Sequence, residues 1–194
     1  MYSIPTSVDI DGKKFTIRNN GDYRVILDCF SALNDAELSK QERLLASLII
    51  FYEDLNSTED IGMLGDVEQA VKEMYKFFNC GSTNDYGKTS VHKVIDWELD
   101  EQMICSAVNK VANQEIRVQP YIHWWTFMGY YTAIGNCPLS YVVEIRDKII
   151  KGKKLDKDER EFRNNNPQLF AWKSKTVEET EADKLVRELW NNGG

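Results

Sequence analysis

Histidine is nearly absent from this chain: only His92 and His123 occur in 194 residues. A zinc site needs three or four converging ligands. His123 has no second histidine nearby and no carboxylate four residues on, and His92 has no ligand-type partner at helical spacing. Serine or cysteine nucleophiles in most arrangements need a histidine base, so two isolated histidines argue against that chemistry. Cysteine is sparse too. Cys29, Cys80, Cys105 and Cys137 contain no CxxC pair and no metal-type spacing, and they read as small buried hydrophobes. Gly87-Lys88-Thr89 resembles the end of a phosphate-binding loop, but the pattern needs glycine at 82, where Ser82 stands, with Gly81 one residue off. That segment reads as a plain loop, and no cofactor is expected.

Net positive charge is missing as well. The formal charge is −7 and the pI about 5.0. Such a chain offers no general field for nucleic acid or an anionic membrane. The longest apolar candidate, residues 44–52, falls short of the ~18 residues a membrane-spanning helix needs. Met1-Tyr-Ser-Ile-Pro-Thr lacks the basic start and apolar run of a secretory signal. A cytosolic protein is therefore predicted.

Hydrophobic residues, at 42%, suffice for a real core at this length. Thr6-Ser-Val-Asp-Ile and Lys13-Lys-Phe-Thr-Ile-Arg flank Asp11-Gly12. Their alternation of apolar and polar residues predicts a hairpin over about residues 5–18, with Asp-Gly in a tight two-residue turn. The rest reads as helix. Tyr23, Ile26, Leu27, Phe30 and Leu33 form one face. Ser39-Lys-Gln-Glu42 is a capping box before Leu44, Leu45, Leu48, Ile49 and Tyr52. Asp66 caps a third helix carrying Val71, Met74, Phe77 and Phe78, which Gly81 ends. Further helices are predicted from about Asp100, from Pro120, from about Ser140 and from Asp156. Asn164-Asn-Asn-Pro167 reads as a hinge. Beyond it, Thr176-Val-Glu-Glu179 is another capping box, before an apolar stripe that includes Ala182, Leu185, Leu189 and Trp190. The prediction is a mainly α chain: a compact helical domain over 1–166 with an N-terminal hairpin, and a C-terminal helical arm over 167–194.

Two blocks stand out. Of the 5 tryptophans, 9 tyrosines and 8 phenylalanines, six fall within residues 121–131, Tyr121-Ile-His-Trp-Trp-Thr-Phe-Met-Gly-Tyr-Tyr. A helix apolar on nearly all sides is expected to be central and surrounded, with Trp124, Trp125 and Phe127 as core; exposure of some rings in a binding groove is the competing reading. Residues 141–165 carry eight basic and six acidic side chains. That is a solvated face with mutual ion pairs, or a docking surface for an acidic or helical protein.

These blocks resemble the bacteriophage gene-product-fifteen family, small tail-region proteins of long-tailed phages of Gram-positive hosts. The likeness extends to about residue 170. It rests on the opening Pro5-Thr-Ser-Val-Asp-Ile-Asp-Gly-Lys, on Phe77-Phe-Asn-Cys80-Gly81, on Ile95-Asp-Trp-Glu98, on Tyr121-Ile-His-Trp-Trp-Thr-Phe127 and on Ile145-Arg-Asp-Lys148. At Trp97 the family more often has phenylalanine. The last 20 or so residues match no pattern of it. Family genes lie between those for the major tail protein and the tape-measure protein. The resemblance implies a non-enzymatic tail assembly chaperone in the host cytoplasm. Its partners would be the tape-measure protein and, more loosely, the major tail protein. Neither nucleic acid nor membrane is implied, and homo-oligomerisation stays open. Candidate partner-binding residues are Lys153, Lys154 and Lys157 in the basic block, and Leu185, Leu189 and Trp190 in the tail. The resemblance carries over no catalytic residue. The rival reading is a structural virion protein, a tail-completion or tube-end component.

Overall fold

Asp11 and Gly12 both take positive φ, 52° and 79°, which closes a two-residue hairpin whose twist suits the flanking strands. β1 (Ser7–Ile10) and β2 (Lys13–Thr16) pair antiparallel in the register Ile10 to Lys13 and Val8 to Phe15. The Asp9 carboxylate accepts the Gly12 amide at 2.9 Å and tightens the turn. Val8, Ile10 and Phe15 face inward.

The computed structural model describes residues 3–82 and 94–171. They form seven α-helices, four short 3-10 turns and this hairpin, so the fold is mainly α. Two compact units divide them. The first holds residues 3–82 and 120–128, the second 94–119 and 129–171. The predicted arm beyond Ala171 and the loop around Gly87 and His92 lie outside the described residues.

In the first unit, β2 leads to Ile17, which bridges Tyr52. Asn19, Asn20 and Gly21 then follow one another with positive φ. This left-handed run brings Asp22 round to cap α1 (Tyr23–Asn34), its side chain accepting the Arg24 amide at 3.0 Å. The run also explains Gly21. A Cβ there would lie 2.6 Å from Phe77 and 3.1 Å from His123, at a φ of +80° that side chains disfavour. No hydrophobic period announces such a turn.

The Ser39–Glu42 capping box starts α2 (Lys40–Phe51) as predicted. Arg18 closes its other end. Its guanidinium donates to the carbonyls of Ile49 and Ile50, which the helix C-terminus leaves unpaired, and to those of Tyr52 and Leu55 just beyond it. α1 packs against α2, where the Ser47 hydroxyl donates to the Cys29 carbonyl at 3.1 Å. Burial pushes the Cys29 thiol far up. A 3-10 turn (Thr58–Leu64) leads to α3 (Val67–Phe78), capped by Asp66. Its Ala70, Val71, Met74, Phe77 and Phe78 are buried with Ile26, Leu48, Phe51 and Tyr52.

The second unit holds α4 (Glu101–Ala112), a 3-10 turn (Ile116–Val118), α6 (Pro138–Ile150), α7 (Lys157–Asn165) and a last 3-10 turn (Pro167–Phe170). α4 packs on α6. Ile104, Val108, Ile116, Leu139, Val142 and Ile145 are buried here. Between α4 and α6 in sequence lies α5 (Trp124–Thr132), and the division between units falls within it. α6 begins two residues earlier than Ser140, because Pro138 fits the first helical turn and Cys137 caps it.

Candidate functional site

Residues 121–131 do not form one helix from Pro120. Residues 121–122 run without helix and Asp22 and His123 form a single antiparallel rung. Tyr23 N–H donates to the Ile122 carbonyl at 2.9 Å, Ile122 N–H to the Asp22 carboxylate at 3.0 Å, and the Tyr121 hydroxyl to the Asn20 carbonyl at 3.0 Å. α5 starts only at Trp124. The pairing occupies both the N–H and the carbonyl of Ile122.

His123 is the start signal of α5. Its Nδ1 accepts the Trp125 N–H at 3.0 Å, and its Nε2 lies 3.0 Å from the Pro5 carbonyl. A carbonyl only accepts, so Nε2 carries the proton and the ring is neutral. Burial holds its pKa below the ordinary value; the Pro5 bond and Asp22 pull the other way. With both nitrogens engaged, His123 serves the fold and has no free lone pair for a proton transfer or a metal.

The three signature aromatics separate. Trp124 and Phe127 are buried, each about 1% exposed. Trp124 Nε1 donates to the Phe78 carbonyl at 2.9 Å, and the Phe127 ring stacks on Tyr23 at 4.7 Å. Trp125 is half-buried, with its Nε1 on the Phe77 carbonyl and its ring over Gly81. α5 is not enclosed on all sides. Thr126, Gly129 and Thr132 are exposed. Trp124 and Phe127 point into the core, Trp125, Tyr130 and Tyr131 are half-buried, and Trp125 keeps its indole N–H on a carbonyl.

The basic block resolves into different jobs. Arg146 is fully buried and pairs with Asp100, also fully buried, at 2.6 and 2.9 Å. Its other donors reach the carbonyls of Val94, at 2.9 Å, and Leu169, which accepts from Nε and Nη2. All five N–H groups are thereby used. Asp100 also accepts the Asp96 amide at 3.0 Å. Sequence reading counted Arg146 among surface charges. The missed signal is its place on the apolar stripe of α6, beside Val142, Ile145 and Ile149. Lys148 pairs with buried Glu159 and with Glu144, which together raise its pKa, and Lys151 pairs with Asp147. Arg160 donates to the Leu155 carbonyl.

Lys153, Lys154, Lys157 and Arg163 remain, all exposed, with no side-chain partner among the described residues. Lys153 and Lys154 sit on the turn between α6 and α7, and Lys157 and Arg163 on α7 itself. Leu185, Leu189 and Trp190 lie outside the described residues, so the two halves of the partner-binding candidate set are not brought together. The second unit also carries an open apolar groove of about 390 Å³ along α6, with Val143 in its wall and Glu144 and Asp147 on its rim. Tyr131 lines it, its phenol pushed up to about 12 first by burial and then by Asp100 and Cys137.

Among the described residues, no cluster of three or more His, Cys, Asp or Glu is placed to hold a metal ion. No described helix is long and apolar enough to cross a membrane. No curated protein and no solved structure matches the chain. One protein family does, over residues 2–171, a span that takes in the hairpin, the Asp22–His123 rung, the signature aromatics and the Arg146–Asp100 pair. By that match the chain belongs to the family described as Bacteriophage Gp15 protein.

Proposed function

We propose that this protein is a non-enzymatic tail assembly chaperone that holds the phage tape-measure protein soluble in the host cytoplasm until tail-tube subunits polymerise around it. The observation that carries the reading is the family match over residues 2–171, which supports a structural or tail-region role in a phage. Physical chemistry agrees with it. A long helical partner with exposed apolar stripes aggregates when bare, and an acidic helical protein shields it through an apolar surface with a polar edge. The charge of −7 keeps the pair in solution. The free cations Lys153, Lys154 and Lys157 supply a polar edge for acidic side chains of the partner. The tail stripe with Leu185, Leu189 and Trp190 is the second proposed contact, on a separable arm.

Co-expression tests this directly. The tape-measure protein alone precipitates, and with this chain present it stays soluble and co-purifies. Reversing Lys153, Lys154 and Lys157 to glutamate weakens the complex more at low salt than at high salt. The family match equally supports a tail-completion or tube-end component. Insoluble tape-measure protein, together with this chain at fixed stoichiometry in purified particles, moves the assignment to that reading.

A further inference from the structure

The groove on α6 has a charge imbalance at its rim. Lys148 is shared by two carboxylates. Glu159, with a side chain 4% exposed, makes the closer contact; Glu144, with a side chain 60% exposed, lies at 3.1 Å. Asp147 has its own lysine, Lys151, at 2.7 Å. One ammonium against two carboxylates leaves a negative charge uncompensated, and the exposed carboxylate is the one on the groove. The wall below it is apolar: Val94, Ile95, Ile134 and Val143. All these groups belong to the second unit.

We infer that this groove docks one amphipathic helix of a partner protein, a helix that sets large aliphatic side chains at i, i+3 and i+4 into the groove and a lysine or arginine on its flank against Glu144. An apolar cleft of this size takes two or three such side chains, the usual anchors of helix-in-groove recognition. The flanking cation fixes which way the helix lies more than how tightly it binds. This names the surface for the partner proposed above and rests on that reading as to whose helix it is. Lys153, Lys154 and Lys157 play no part in it.

The probe is a fluorescein-labelled 18-residue helical peptide with leucines on one stripe and lysines beside it, titrated into the full chain and followed by anisotropy. A glutamate-flanked twin and a lysine peptide of scrambled order control for stripe and charge. The lysine-flanked peptide binds at least tenfold tighter than the scrambled one. Val143→Asp removes that margin. Glu144→Gln weakens binding about three- to fivefold, as suits an exposed ion pair, and Glu144→Lys reverses the preference toward the glutamate-flanked twin. Circular dichroism of each variant checks that it folds. Equal binding by wild type, V143D and E144K overturns the inference. So does a synthetic peptide of residues 176–190 that outcompetes the probe with the same sensitivity to Val143 and Glu144, since the occupant is then the chain's own segment. A self-association that V143D abolishes assigns the groove to a second copy and overturns it as well. A groove that passes these tests while the tape-measure protein stays insoluble in co-expression leaves the inference standing and removes the chaperone reading.

Discussion

The Arg146 guanidinium lies against the Asp100 carboxylate through two hydrogen bonds, with neither side chain exposed to solvent. Around that pair the second unit is tied at four places in the sequence. Val94 and Asp96 precede α4, Asp100 opens it, Arg146 sits in α6, and Leu169 follows α7. A buried ion pair gains little over a well-packed apolar pair, but breaking one side of it strands a charge. Asp100→Asn or Arg146→Met therefore costs about 3–5 kcal/mol, read as a shift of the denaturant midpoint. The double variant Arg146→Met with Asp100→Asn costs less than the two single losses together, because no charge is left alone. Additive losses would show that the pair is not coupled.

Leu169 sets where the chain can be cut. Its carbonyl accepts from Nε and Nη2 of Arg146, and the Phe170 ring meets Phe162 edge-on at 6.2 Å. Residues 167–170 thus pack with the second unit, and we place the proposed boundary of the arm after Ala171 rather than at Asn166. Ending the chain at Asn166 orphans two donors of a buried guanidinium, at about 1–3 kcal/mol for each group left unpaired. Ending it after Ala171 leaves the midpoint near that of the full chain. Equal midpoints for the two truncations would refute the role given to Leu169.

Trp124 and Trp125, adjacent in the sequence, differ in consequence. Trp124→Ala empties a buried site and costs about 3–5 kcal/mol. Trp125→Ala removes a half-buried ring and one bond to the Phe77 carbonyl, and costs roughly 1–2 kcal/mol. Urea titrations of the two variants decide it; a larger loss at Trp125 would contradict the burial seen here.

His123 makes stability depend on pH. Its folded pKa is depressed, so the folded state disfavours the charged ring more than the unfolded state does. The associated stability is fully present above the ordinary value of 6.5 and is lost as pH falls below it toward the folded pKa. The denaturant midpoint drops between pH 7.5 and pH 5.5 in the wild type, and drops less in His123→Gln. Parallel pH profiles for the two proteins would remove His123 from this role.

Local signals were legible where a few neighbouring residues settle the matter. Asp-Gly closes its hairpin, Ser39 with Glu42 and Asp66 start their helices, and the apolar stripe of α3 is the stripe that is buried. The capped residue and its cap lie within four positions of each other, so hydrogen-bond demand at a helix end is written locally. The errors fall where a distant partner overrides that demand. Pro120 is a fair first residue for a helix, yet Asp22, a hundred residues earlier, holds Ile122 in a bridge and delays α5 to Trp124.

The sequence by itself determined the class of this protein: a mainly α chain with one hairpin, acidic, without a histidine pair or cysteine motif, and with enough of the signature around Trp124 to place its family. Periodicity, caps and composition are short-range properties, and they survive reading one residue at a time. Tertiary structure alone decided which charges are structural and which are free. Arg146 and Lys153 look alike in the sequence, seven positions apart. One is drawn into the core because Asp100, Val94 and Leu169 supply acceptors for every donor it has; the other finds none and stays in water. Desolvation of a charge is offset only by partners in place around it, and those partners come from segments that meet only when the chain is folded.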